Sequence, residues 1–406
     1  MFGARCFGAL LAGLASGALG AIARAQVSPF EVALCSGKVL PATEITGDAE
    51  RGWLVVTQGK SQRVAANELL LVLAVPAQNV ELTAVHLAGG DVVRGVLVGG
   101  DTAGDRLELL SPVLGRVPVR VDRIAAVAAV DCARPLALQL PEGVGEGLFV
   151  RAAVGYDLVA GTVHQFGEQG VRFHADGAAA PRWYGAREFV ALRIADAQKV
   201  PAAAPVQLLT RAGDRLGVTG VRFAAQTMLC GLEGGNTVDL RLADLACVSF
   251  AGAGVFLSDL EPSEVVENGL DGDVVFPWQR DRAATGGPLL VAGRAHGKGL
   301  GVHSKSRLSF AVPDGLASFW TRVGIDDTAV ELRPQANVDV RVLVNGKLVF
   351  EETGLEPGQG PRDTGLLPVR ARDIVTLEVD FGRGRELGDR VDWLSPIFLP
   401  PSGRRP

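Results

Sequence analysis

The segment Val338-Asp339-Val340-Arg341-Val342-Leu343-Val344-Asn345-Gly346-Lys347-Leu348-Val349-Phe350 decides the class of fold. Valines at 338, 340, 342 and 344 alternate with Asp339, Arg341 and Leu343, so one side of an extended chain is apolar while the other carries charge. Asn345-Gly346 supplies two residues that tolerate positive φ, as a type I′ turn demands, and Leu348-Val349-Phe350 returns. This spacing predicts a β-hairpin. Further on, Leu377, Val379 and Phe381 alternate with Glu378 and Asp380 in the same way. Sheets with one packed and one wet face pair into a sandwich.

Upstream the same period recurs in a longer pattern of strand, Gly turn, strand, third strand, polar corner and closing strand. The clearest copy covers 80–131, with turns at Gly89-Gly90-Asp91 and Gly99-Gly100-Asp101 before Val117, Val119 and Val121. A second covers 206–250, and fainter ones cover 32–75 and 148–194. Units of about 45 to 50 residues are too small to stand alone, so they are expected to pack in pairs or exchange strands. We expect two in 26–133 and two more in 142–251, each a small barrel of SH3 or Sm type. One continuous β-sandwich is the alternative. Pro and small residues mark linkers at 134–141 and 200–205. Helical turns near 67–70 and 187–189 are read as incidental. The whole chain is expected to be all-β.

With 406 residues, more than one domain is expected, and 48% apolar residues with 52 glycines and 22 prolines describe packed strands and many turns rather than disorder. The net charge of −5 argues against a nucleic-acid partner. Residues 1–25 read as a signal peptide: Arg5, an apolar Gly/Ala/Leu run, then Ala23-Arg24-Ala25 as a cleavage site before Gln26. An uncleaved anchor is the competing reading, and no later stretch is suited to span a bilayer. Export to the periplasm, cell surface or medium follows. Cys35, Cys132, Cys230 and Cys247 then remain, with proximity favouring Cys230 with Cys247 and Cys35 with Cys132, while buried free thiols fit equally well. None shows the Cys-x-x-Cys spacing of zinc or redox sites.

The last third carries a series of motifs. It opens with Phe256-Leu257-Ser258-Asp259-Leu260-Glu261-Pro262 and continues through Trp278, Arg280-Asp281-Arg282, Gly286-Gly287-Pro288-Leu289, then Lys298-Gly299-Leu300-Gly301-Val302-His303-Ser304-Lys305-Ser306. Val323-Gly324-Ile325-Asp326-Asp327 and Asp389-Arg390-Val391-Asp392-Trp393 complete it. In this order they resemble the NPCBM domain, a family first described beside a glycosyl hydrolase family, and the resemblance covers 256–400. It implies a galactose-binding-like jelly roll that binds a glycan through loops at one end, the partner being an extracellular or cell-envelope polysaccharide displaying galactose or a related sugar. A sugar site needs an aromatic face and fixed polar groups. The aromatic candidates are Trp278, Trp320 and Trp393, and the polar ones His303, Asp326, Asp327 and Asp392. Trp278 and Trp393 also suit the core, and Gly299 and Gly301 suit close backbone packing. Related jelly rolls hold a structural calcium ion, for which Asp281 and Asp392 are candidates if the first and last strands pair. Arg390 stands where the family usually has histidine, and Asn345 where it usually has aspartate.

No enzyme motif accompanies these features. The five histidines are scattered, no Gly-x-Ser-x-Gly elbow or phosphate loop is present, and adjacent Asp326 and Asp327 are not a pair facing across a cleft. The expected function is non-catalytic glycan binding by an exported protein. A cell-surface scaffold without sugar affinity is the alternative, with an active accessory of a glycoside hydrolase system as a third reading.

Overall fold

The computed structural model describes residues 29–401 except 75–81, 102, 130–144, 186, 196–203, 233–236, 253, 269–275, 334, 384, 385 and 387. Among the described residues there are strands and short 3₁₀ turns, and no helix long and apolar enough to cross a membrane. The protein is all-β.

Before the sandwich, one connectivity occurs four times, in 30–74, 83–128, 147–193 and 206–250. In each, the first strand pairs antiparallel with both the second and the last. The middle strands form a meander of their own. A single turn precedes each last strand, at 66–68, Val121–Arg123, 187–188 and Leu242–Asp244. The two turns expected to be incidental therefore occupy a recurring position: they redirect the chain from the meander back to the first strand.

The units pair through their last strands, but not as the first with the second and the third with the fourth. Leu69–Ala74 pairs with Leu245–Phe250, joining the first unit to the fourth, and Ile124–Ala128 pairs with Phe189–Arg193, joining the second to the third. Pairing satisfies the open N–H and C=O groups of an edge that a lone small unit would expose. One apolar cluster runs through all four units, from Val32 and Trp53 to Val85, Phe173, Leu208 and Val248.

The C-terminal part is a sandwich of two antiparallel sheets. One runs Gln279–Arg280, Gly299–His303, Arg390–Leu399 and Ser318–Ile325, and the other Glu264–Glu267, Ser306–Ala311, Ile374–Phe381, Val338–Val344 and Lys347–Leu355. Leu300, Val302, Val323, Val391 and Trp393 face Leu308, Phe310, Val340, Val342, Leu377 and Val379 across a dry core. The alternation read at 338–344 supplies that inner face, and Asn345 (φ 50°) with Gly346 (φ 77°) makes the turn between the two hairpin strands. Gly301 is required for a different reason. A β-carbon there would lie 2.2 Å from the Arg282 carbonyl oxygen, so the 282–284 segment rests directly on the strand backbone.

Sandwich and units share a second apolar cluster. Leu71 and Leu73 of the first unit and Leu209, Ala246 and Cys247 of the fourth meet Phe256, Ala295, Trp320, Ile397 and Leu399 of the sandwich. This explains why Leu69–Ala74 and Leu245–Phe250 are apolar on both faces and buried throughout: one face lies in the unit core and the other under the sandwich. Arg322 pairs with Glu31 across the seam, and Arg294 Nη1 lies 3.2 Å from the Ala74 carbonyl oxygen.

The pairing of Cys230 with Cys247 does not occur. Both are free and lie in strands of different sheets, Cys247 Sγ sitting 3.5 Å from Ser249 Oγ. Cys132 and residues 1–25, read above as a signal peptide, lie outside the described residues, so the expected pairing of Cys35 with Cys132 does too.

Candidate functional site

At one end of the sandwich, Gly299–His303 and Ser318–Ile325 finish while Ser306–Ala311, Val338–Val344 and Arg390–Leu399 begin. His303 is the last residue of its strand and is paired in register with Arg390. Its imidazole stacks on Phe276, ring centroids 4.5 Å apart and planes inclined by 30°. Phe276 is 40% exposed, so the stack leaves ring surface open to solvent. His303 Nδ1 lies 2.8 Å from the Ser304 carbonyl oxygen, which fixes that nitrogen as the donor and leaves Nε2 as an acceptor. Burial pulls the His303 pKa down, keeping the ring neutral at neutral pH. Ser304 Oγ donates to Asp389 Oδ2 at 2.6 Å beneath the histidine. The Asp389 carboxyl, raised to about 6 chiefly by burial, leaves Oδ1 without a partner. The arrangement offers an open aromatic face beside a neutral acceptor, suited to a sugar's C–H surface and one of its hydroxyls.

Trp278 flanks this end, but Arg280 covers one of its faces, the guanidinium 4.7 Å from a ring centroid, and the indole packs on the sandwich core. Trp320 and Trp393 have no exposed surface. Trp393 fills the core, and Trp320 faces the units while its Nε1 donates to Asp363 Oδ1 at 2.9 Å. A stacking platform needs an open face, and neither has one.

Asp326, Asp327 and Asp392 come together for another purpose: they hold the hairpin formed by Leu289–Val291 and Arg294–His296. Asp327 accepts the amides of Ala292 (2.9 Å) and Gly293 (2.7 Å) at its tip. Leu290 N–H is shared between Asp326 Oδ2 at 3.3 Å and Asp392 Oδ2 at 3.2 Å. Burial, and then the neighbouring Asp326, push Asp392 well above the ordinary carboxylate range, favouring its protonated form. The hairpin lies between the sandwich sheet and the first and fourth units, leaving Asp326 and Asp392 without exposed surface while the partly exposed Asp327 is committed to the hairpin tip.

The two calcium candidates are not brought together. Gly299–His303 runs between the strands that hold or precede them, and Asp281 is already committed to Lys298 Nζ (2.9 Å), Arg215 Nη1 (3.2 Å) and the Gly299 amide (3.0 Å). Cations already fill the place a metal would take, and among the described residues no three His, Cys, Asp or Glu side chains are arranged to hold one.

Residues 253–399 match the NPCBM/NEW2 domain family. The C-terminal sandwich thus corresponds to the NPCBM/NEW2 domain. Among solved structures, a CBM51 module of a Clostridium perfringens GH95 protein, in complex with methyl-galactose, is 19% identical, covering 36% of this chain and 99% of its own at a TM-score of 0.32. Tandem CBM51 modules of a family 98 glycoside hydrolase from Streptococcus pneumoniae SP3-BS71 are 14% identical, covering 92% of this chain and 88% of theirs, also at 0.32. A CBM51-2 and INT-domain structure from C. perfringens ZmpB, in complex with GlcNAc, is 21% identical, and this chain spans only 39% of it. No curated protein matches the chain.

Of the candidate residues, His303 alone stands at the open aromatic end with a free acceptor. Phe276 was not among them. Its signal lay in the Phe276-Pro277-Trp278 run, where only the tryptophan drew notice, and the fold reverses their exposure: Trp278 turns inward and Phe276 outward.

Proposed function

We propose that the NPCBM domain binds a neutral glycan, of the galactose-like class its family implies, at the loop end built by Phe276 and His303. The observation that carries this is the half-open Phe276 ring stacked on a neutral imidazole with an unused acceptor. On this reading the chain is an exported, non-catalytic binder, and the four units are small barrels that carry the module. The buried carboxyl pair Asp326–Asp392 supports a non-catalytic role, since it lies under a hairpin rather than across a substrate cleft.

The test uses the full chain, because an isolated NPCBM fragment would expose the apolar face at Trp320, Ile397 and Leu399. On a glycan array, binding by the parent protein that is lost in both Phe276→Ala and His303→Ala supports the proposal. A folded parent that binds no array member overturns it and favours the scaffold reading.

A further inference from the structure

Arg94, Arg215 and Arg282 converge on His86 where the second unit, the fourth unit and the NPCBM domain meet. Register sets this up. His86 is paired with Val92 and Val92 with Arg215, so the three side chains share one face, and Arg94, two residues beyond Val92, joins them. Arg282 reaches over from the NPCBM domain, its Nη2 3.3 Å from His86 Nδ1. It follows Asp281, at the opposite end of the Gly299–His303 strand from the loop-end site.

The carboxylates nearby are engaged elsewhere. Asp281 serves Lys298, Gly299 and Arg215, while Asp214 accepts from the Thr210 hydroxyl at 2.6 Å and the Arg94 backbone amide at 2.7 Å. Among the described residues, the Arg94 side chain makes one hydrogen bond, from Nε to the Gly213 carbonyl oxygen at 3.2 Å, with Asp214 acting on it through its charge alone. Among the described residues, Arg282 has besides His86 only the Gly286 carbonyl oxygen at 3.5 Å. Among the described residues neither guanidinium has a carboxylate within ion-pair distance. Burial and the neighbouring arginines lower the Arg282 pKa to about 10, and burial followed by Arg282 and Arg94 lowers His86 to about 3. Guanidinium groups withdrawn from water normally carry a matching anion, and here two of them hold unused N–H donors beside a third.

We propose that Arg94, Arg215 and Arg282 form a binding site for a tetrahedral oxyanion, either free sulfate or the sulfate ester of a sugar. Arg94 and Arg282 can turn their unused guanidinium N–H donors to the oxygens of one such group, while Arg215, held by the Gly297 carbonyl oxygen at 2.9 Å and by Asp281, adds positive charge beside them, and this planar, multidentate donor set selects it over a monovalent spherical ion. His86 accepts from Arg282 at Nδ1, so it adds no charge of its own. The proposal is independent of the sugar reading of the loop end.

The experiment is a calorimetric titration and thermal melt of the full chain with sodium sulfate, against sodium chloride at equal ionic strength, followed by galactose 6-sulfate against galactose. The proposal expects a saturable rise in Tm with sulfate that chloride does not give. It expects Arg282→Met to weaken sulfate binding by about tenfold or more, and Lys347→Met, at the distant hairpin tip, to leave it intact. Tighter binding of the sulfated sugar than of sulfate assigns the site to a glycan substituent; equal binding assigns it to the free anion. Should Arg282→Met fail to fold, Arg94→Gln is titrated in its place. Identical responses to sulfate and chloride, or an undiminished response in the folded arginine variant, overturn the proposal.

Discussion

Asp392 and Asp326, both wholly buried, share a single backbone donor, the Leu290 N–H, at 3.2 and 3.3 Å. Burial, and then the adjacent Asp326, push Asp392 well above the ordinary aspartate range, toward its protonated form. A raised native pKa means the folded state holds a proton that the unfolded chain releases near pH 3.9. The stabilisation is therefore complete in acid and declines as pH rises above the ordinary aspartate range toward the native pKa. Asp392→Asn keeps a neutral partner beside Asp326 and removes the titration. Thermal melts from about pH 4 to about pH 8 should show a shallower decline of Tm in this variant than in the parent. An equal or steeper decline would contradict the assignment.

Asp326→Ala acts differently. It removes the acceptor of the Thr328 amide (2.9 Å) and half of the hold on Leu290. Leaving buried donors unpaired costs about 1 to 3 kcal/mol, and the loss should appear in urea unfolding of the full chain at neutral pH.

Asp389, near the loop-end site, has a native pKa of about 6. By the same sign, its contribution is complete below about pH 3.9 and is lost by the time the pH has passed the native value. Asp389→Asn should flatten the part of the Tm profile below about pH 6 and leave the part above it unchanged. NMR titration of the carboxyl carbon gives a direct check, and a midpoint in the ordinary aspartate range would refute the prediction.

Trp320 is the largest side chain at the seam between the NPCBM domain and the units. Trp320→Ala should destabilise the chain by about 3 to 5 kcal/mol, and Trp320→Phe by less, although Phe leaves Asp363 without its indole donor. If the seam holds the parts together, limited proteolysis should release the NPCBM domain from the alanine variant sooner than from the parent. Equal rates would mean that Trp320 does not fasten it.

Burial pushes the Cys230 thiol up to about 12 and also raises Cys247. Neither should react with iodoacetamide in the native protein, since the thiolate is the nucleophile. Both should be alkylated after unfolding without reductant, as read by peptide mass spectrometry. A Cys230–Cys247 disulfide in those peptides would show the free-thiol assignment to be wrong.

Much of the fold was legible because period-two alternation and turn residues act locally. The alternation at 338–344 needs only its own residues to define a face, and Asn345-Gly346 needs only its own φ preferences. The site was less legible. Trp278, Trp320 and Trp393 are chemically alike in sequence, and only packing tells which of them has an open face. None of the three offers a free one, whereas Phe276 does.

By itself, the sequence determined the strands, the hairpin turn, the motif series of the NPCBM domain and the need of each small unit for a partner. Tertiary structure alone decided which partners were chosen. The first unit pairs with the fourth and the second with the third, because edge strands are satisfied by whichever complementary edge lies beside them in space, at any sequence separation. The same holds for Asp326, Asp327 and Asp392. Their residue types suit sugar hydroxyls or a metal, but a hairpin folded over them turned them into its fastening, since a buried carboxyl bonds to the donors that packing brings within reach.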